Sequence, residues 1–333
     1  MLNLARDRKG KKNITLSTSG TRAIFITGKR GSGKSYTLGR LVEEYHRAGN
    51  HLIVVVDPLA VFWSTAMPED GQEPLPVRVL VPGSIEDALG PLAPAMEARG
   101  VELTRLQLNA SDLTPDAWLA IFDLSISSPQ AIALARAIRS QAGQQYTIPD
   151  LITAIGEDEH AADSTKNAIC NRLDGAAAWG VFSTSYRPIT EVLRPGAINV
   201  VDVSAYDPGP QSIRNLVVRL LAEQLFRARF AARRAETLGL PADIPPVLLA
   251  LDEAHDFCPA TGGALAKRAL IRIGKEGRQP GLSLAIATQQ PSALSFSLIS
   301  QCDALIVHHL TLEDDIKVAR RLASRLRWRW EVT

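Results

Sequence analysis

Seven short runs of the chain are apolar at consecutive positions: 23–27, 52–56, 77–81, 197–203, 247–251, 282–287 and 304–307. Many are rich in Val and Ile without alternation, the pattern of strands buried on both faces. Between them the apolar positions recur at helical spacing. The clearest stretch is 211–234, where Ile213, Leu216, Val217, Leu220, Leu221 and Ala222 form one stripe. Arg214, Arg219, Arg227, Arg229, Arg233 and Arg234 take the polar positions around it. Strands alternating with helices predict an α/β fold, a mainly parallel sheet flanked by helices and joined by right-handed crossovers. From 115 to 184 the pattern changes to alanine-rich helical periodicity around 131–140, 148–155 and 164–173, which predicts a helical insert. Proline and polar residues mark 68–76 and 236–246 as loops. The chain then divides into a basic segment over 1–20, an α/β core over 21–315 carrying the insert, and a basic helix or tail over 316–333.

Composition adds exclusions. With 46% hydrophobic and 22% charged residues the chain is an ordinary globular sequence, and its net charge of +2 gives no overall basic field. A nucleic-acid partner must therefore be met by a local patch. Cys170, Cys258 and Cys302 are isolated, with neither a C-x-x-C pair nor a metal-binding spacing with the histidines. They read as reduced thiols and point to the cytoplasm. His308 and His309 end an apolar run and face opposite sides of a strand, which favours a structural role over a metal site. No apolar run approaches the roughly 18 to 20 residues of a membrane span. The basic residues from Arg6 to Lys12 are followed by no apolar core, so they are not read as a secretory leader, and no membrane partner is expected.

The chemistry starts directly after the first apolar run. Gly28, Gly33, Lys34 and Ser35 complete the spacing G-x-x-x-x-G-K-[ST], between a strand pattern and a helix pattern carried by Leu38, Leu41, Val42 and Tyr45. Glycines allow successive backbone N–H groups to point at phosphates, and the helix adds the positive end of its dipole. The predicted nucleotide-binding stretch is Gly28, Lys29, Arg30, Gly31, Ser32, Gly33, Lys34, Ser35 and Tyr36. Lys34 is expected at the β- and γ-phosphates of ATP and Ser35 on Mg²⁺.

A partner for this loop appears at 247–251, an apolar run that ends in Asp252 and Glu253. Asp252 is expected near the metal, and Glu253 near the water that attacks the γ-phosphate. The letters Asp252-Glu253-Ala254-His255 also tag one helicase class, but the later strand ends in Ala287-Thr288-Gln289-Gln290 rather than that class's Ser-Ala-Thr. Gln289, at the carboxyl end of a strand, is placed to sense the γ-phosphate or the water, or else is a polar strand cap. Asp57 ends another strand at the same edge and reads equally as a site residue or as a turn residue before Pro58. Arg278, in the glycine-flanked turn 274–281, reads equally as a charge-balancing arginine or as a surface arginine. Arg22 is a weaker candidate, since it begins its strand at the far edge.

Four segments in order resemble the HerA/FtsK superfamily of ring ATPases, the HerA branch most closely. They are 26–35 around the glycine loop, 251–257 around the acidic pair, 274–281 around Arg278 and 287–291 around Gln289, supported by 193–202 and 300–307. The resemblance covers roughly 20 to 316. It implies a RecA-like P-loop NTPase core, a homo-hexameric ring with DNA in its pore, ATP sites between subunits, and a nuclease or effector protein as partner. It makes Lys34 the phosphate lysine, Asp252 and Glu253 the acidic pair, Gln289 the sensor and Arg278 an arginine acting on the neighbouring subunit. The N-terminal β-barrel of full-length motors of this kind has no expected counterpart here.

Three functions fit this reading: a DNA translocase of HerA type in DNA processing or repair, a packaging or conjugation motor with the same core, or an ATP-gated platform that regulates an effector protein. A GTPase is disfavoured because Thr165-Lys166-Asn167-Ala168 stops short of the base-reading [NT]-K-x-D. The last residues interleave arginines with Trp328 and Trp330, either an amphipathic subunit contact or a nucleic-acid arm.

Overall fold

A computed structural model describes residues 2–6, 13–16, 20–67, 73–183 and 187–325, the first two segments as backbone only. The strands are β1 (Leu2–Arg6), β2 (Asn13–Leu16), β3 (Ala23–Thr27), β4 (Leu52–Asp57), β5 (Val77–Pro82), β6 (Glu102–Leu106), β7 (Ile198–Asp202), β8 (Val247–Leu251), β9 (Leu282–Thr288) and β10 (Ala304–Val307). Eight of them form one sheet in the order β10-β3-β9-β8-β4-β7-β5-β6. Every pairing in it is parallel. The seven apolar runs are seven of these strands. The eighth, β6, pairs with β5 at the sheet edge, where its Glu-Leu-Thr-Arg-Leu sequence carries polar residues that a central strand would not tolerate.

Apolar character on both faces is explained by two packed layers. Ile24 and Ile26 of β3 point into one core with Leu38, Leu41, Val42 and Tyr45 of helix α1 (Lys34–Arg47). Phe25 points into the other, with Leu216, Leu220 and Leu221 of the helix Ile213–Thr237. That second core also takes in the segment from 115, whose helices are Pro115–Ile121, Pro129–Ser140, Ile148–Gly156 and Asp163–Ala177. Serine or threonine caps open the first three, each followed by a proline in the first turn.

Two expectations change. The basic segment over 1–20 contains the antiparallel pair β1–β2, whose apolar alternation is too brief to stand out in the sequence. Arg229, counted among polar helix positions, is buried at 1% exposure. It donates to the Pro280 carbonyl at 2.8 Å and to Glu236 at 3.0 Å, and also contacts the Ile244 carbonyl, so its charge is paired inside the protein. The C-terminal helix Glu313–Ala323 packs Ala319 and Leu322 inward. Trp328 and Trp330 lie outside the described residues. No described helix is long and apolar enough to cross a membrane.

Candidate nucleotide site

Because the sheet is parallel, Thr27, Asp57, Leu251, Thr288 and Val307 all end at the same edge. The crevice outside those carboxyl ends is where such folds bind ligands. The residues 28–33 leave β3 there and enter α1. Gly31 (φ 74°) and Gly33 (φ 95°) take left-handed backbone, which curls the loop back over the helix start. Gly28 is required for another reason. An added Cβ would lie 2.4 Å from His308 Cβ and 2.5 Å from Ser32 Oγ.

The loop is tied down from β10. His308 N–H donates to the Thr27 carbonyl and Lys29 N–H to the His309 carbonyl, both at 2.7 Å. The His308 ring, hydrogen-bonded to Thr37 Oγ1 at 3.0 Å, braces the first turn of α1. Burial, with the Lys34 charge nearby, holds the His308 imidazole below its ordinary range. This is the structural role expected of the pair, at a place the sequence does not reveal.

The start of α1 suits an anion. Its cap residue Gly33 supplies no side-chain hydrogen bond, leaving first-turn N–H groups open to a ligand. Ser32 Oγ is buried without a partner. Lys34 is buried, donates to the Lys29 carbonyl at 3.1 Å, and has no ion pair among the described residues. A buried ammonium without a salt-bridge partner among the described residues, beside free N–H donors, fits a polyphosphate. Tyr36 is 65% exposed and borders a groove of about 530 Å³ between α1 and the loop after β4. Arg40 in that groove is already paired with Glu43 and Glu44.

Across the loop, β8 delivers the acidic pair. Ser35 Oγ donates to Asp252 Oδ2 at 2.7 Å, so two hard oxygen donors for a cation such as Mg²⁺ stand together. Glu253 follows in left-handed backbone (φ 44°, ψ 47°), one of only three described non-glycine residues with positive φ. A conformation of this kind costs roughly 1–3 kcal/mol and persists where the surroundings impose it. Here Glu253 N–H bonds to Asp252 Oδ1 at 2.9 Å. The Glu253 carboxyl is pushed up by burial and by neighbouring Asp252, and is drawn back by His255 and Lys34. The tip of β9 meets it: Gln289 N–H points at Glu253 Oε2 at 3.5 Å. The Thr288 carbonyl accepts from Thr27 Oγ1 at 3.2 Å, which ties β9 to β3.

Lys34, Ser35, Asp252, Glu253 and the backbone of Gln289 are therefore brought together. Arg278 is not. It is exposed in the turn before β9, at the amino edge of the sheet. The seven residues of β9 separate that edge from the site, about 20 Å at the usual rise of a strand. Arg22 lies at the same far edge, its N–H on Ser283 Oγ. Asp57 is a turn residue: its carboxylate accepts the N–H groups of Leu59, Val61 and Phe62 at 3.1, 2.7 and 2.7 Å. Burial raises its pKa to about 6, with nearby Asp202 adding to the rise and those three donors opposing it. Thr288, His255 and His308 are site neighbours that sequence reading named without giving them a place at the site. The only local signals were His255 two positions after the acidic pair and a histidine pair at a strand end.

Comparison with known proteins agrees with this geometry. The family described as "Helicase HerA, central domain" matches residues 13–225. The DNA double-strand break repair helicase HerA of Pyrococcus furiosus is 28% identical over 164 residues, 41% of this chain and 29% of that protein. A probable helicase of Methanocaldococcus jannaschii is 26% identical over 148 residues, 44% of this chain and 27% of that protein. The chain thus matches less than a third of the length of these curated relatives. Among solved structures, VirB4 of Thermoanaerobacter pseudethanolicus superposes with a TM-score of 0.60 at 16% identity, covering 97% of this chain and 87% of that one. By the family match over most of its length and by its sheet and phosphate loop, the chain belongs to the HerA helicase central-domain family, with a RecA-like P-loop ATPase fold.

Proposed function

We propose that this chain is the ATP-hydrolysing core of a DNA motor of HerA type. One observation carries the reading: Ser35 and Asp252 are hydrogen-bonded at 2.7 Å beside a buried Lys34 that has no ion pair among the described residues, with Glu253 next in the chain. Lys34 and the first N–H groups of α1 would bind the β- and γ-phosphates of ATP. Ser35 and Asp252 would hold Mg²⁺, which supplies Lewis-acid stabilisation of the phosphate charge when bound. Glu253 would orient the attacking water and accept its proton, and Gln289 would report the γ-phosphate to β9.

Arg278 stands at the far edge from the site of its own subunit, so a part in the reaction requires a neighbouring subunit. In a homo-hexamer with ATP between subunits, the exposed Arg278 of one subunit would act on its neighbour's γ-phosphate. DNA is the proposed substrate because the matched curated relatives are named as helicases. A cytoplasmic location accords with three free cysteines.

The test is the ATPase rate of the purified chain with and without double-stranded DNA. The reading requires a strong DNA stimulation. An ATPase unresponsive to DNA but accelerated by a nuclease or effector protein would replace the motor with an assembly platform.

A further inference from the structure

One titratable side chain at the site has no part in the chemistry above. His255 sits in the short 3-10 turn Ala254–Asp256, which the left-handed backbone of Glu253 opens. Its ring lies between the tips of β8 and β9. Nδ1 is 2.9 Å from Thr288 Oγ1 and 3.4 Å from Glu253 Oε2. Nε2 faces Asp256 Oδ1 at 3.5 Å. Thr288 Oγ1 also accepts the Gln290 N–H at 3.0 Å. The Glu253 carboxylate is thus met by the imidazole from its own turn at 3.4 Å and by the Gln289 N–H from the tip of β9 at 3.5 Å.

A glutamate side chain has three rotatable bonds and holds one direction only when its head group is held. Misplacing a water-orienting group by about 1 Å costs up to roughly a hundredfold in rate. We propose that His255 is a positioning residue for hydrolysis: its Nδ1 edge ties the Glu253 carboxylate to Thr288, so that the water-orienting group and the sensor turn keep one geometry. His255 does not touch the substrate. The inference rests on the assignment of Glu253 as the water-orienting group.

The test compares His255→Phe, His255→Asn and His255→Gln in the full chain. Phenylalanine keeps the ring's bulk and removes both nitrogens. Asparagine carries an amide group near the Nδ1 position, whereas glutamine carries it near Nε2. Hydrolysis, affinity for a fluorescent ATP analogue and thermal melting are measured for each. His255→Phe should lower kcat about tenfold, while KM and analogue affinity stay within about twofold. His255→Asn should recover most of kcat and His255→Gln should not. Thr288→Val should lower kcat similarly, and combining it with His255→Phe should add little. If His255→Phe melts early, the contrast between asparagine and glutamine decides. Equal losses in the asparagine and glutamine variants, native kcat in His255→Phe, or multiplying losses in the double variant would overturn the proposal. Glu253→Gln separates the two layers. If it hydrolyses ATP at the native rate, the assignment of Glu253 fails and this inference with it. If it is slow while His255→Phe is native, only the inference fails.

Discussion

Gly28→Ala is the substitution whose consequence follows most directly from the coordinates. The new Cβ would stand 2.4 Å from His308 Cβ and 3.2 Å from His308 Cα. Carbon atoms rest about 3.5–4.0 Å apart, so the gap must open by about an ångström. Neither side gives easily. His308 is held through its N–H to Thr27 and its ring to Thr37, and the loop is held through Lys29 to His309. Overpacking of this kind costs about 1–3 kcal/mol, and it falls on the loop that would cradle the phosphates. Gly31→Ala is the control. Nothing lies within 4 Å of its added Cβ, and only the positive φ of 74° opposes it, at about 1–2 kcal/mol. The assay is thermal melting with and without ATP and Mg²⁺, alongside titration with a fluorescent ATP analogue. Gly28→Ala should melt lower without nucleotide and lose most of its nucleotide-dependent stabilisation, more so than Gly31→Ala. Native nucleotide affinity in Gly28→Ala, or a larger loss in Gly31→Ala, would refute the view that the β10 end shapes the phosphate loop.

Two further outcomes follow. Asp57 is buried in the fold with a pKa of about 6 against an ordinary 3.8. The folded state keeps that proton to higher pH than the unfolded chain, so Asp57 weakens stability as pH rises from about 4 to above 6, by about 3 kcal/mol over the full window. The stability of the native chain minus that of Asp57→Asn, measured by denaturant melts, should therefore fall across this window; a gap constant with pH contradicts it. Arg278→Ala should bind ATP yet be nearly inactive, since arginines acting between subunits are worth roughly 10³ to 10⁵ in rate. Mixing it with Lys34→Ala should restore some activity once subunit exchange is demonstrated, and no rescue in rings shown to be mixed would place Arg278 outside the reaction.

How much of this was legible in the sequence depended on how local the determinants were. The phosphate loop was, because glycine, lysine and serine at fixed spacing need only a strand before and a helix after. Seven strands were, because burial on both faces leaves a continuous apolar run. β6 was not, since an edge strand keeps polar residues such as Glu102 and Arg105. Arg229 looked solvent-facing because its partners, Pro280 and Ile244, arrive from distant loops. The remoteness of Arg278 was available in principle: it precedes β9 as Arg22 precedes β3, and the argument that set Arg22 at the far edge applies equally to it. The left-handed Glu253 and the meeting of His255 with Thr288, or of His308 with the loop, are tertiary events with no local pattern.

The central claim is that Lys34 and α1 bind ATP while Glu253 hydrolyses it. Single-turnover hydrolysis of γ-labelled ATP, with binding measured in parallel, tests it in one comparison of the native chain with Glu253→Gln. The native chain should convert its bound ATP and release phosphate, whereas Glu253→Gln should bind ATP comparably and retain it uncleaved, slower by orders of magnitude. Equal single-turnover rates, or a variant that fails to bind ATP at all, would contradict it.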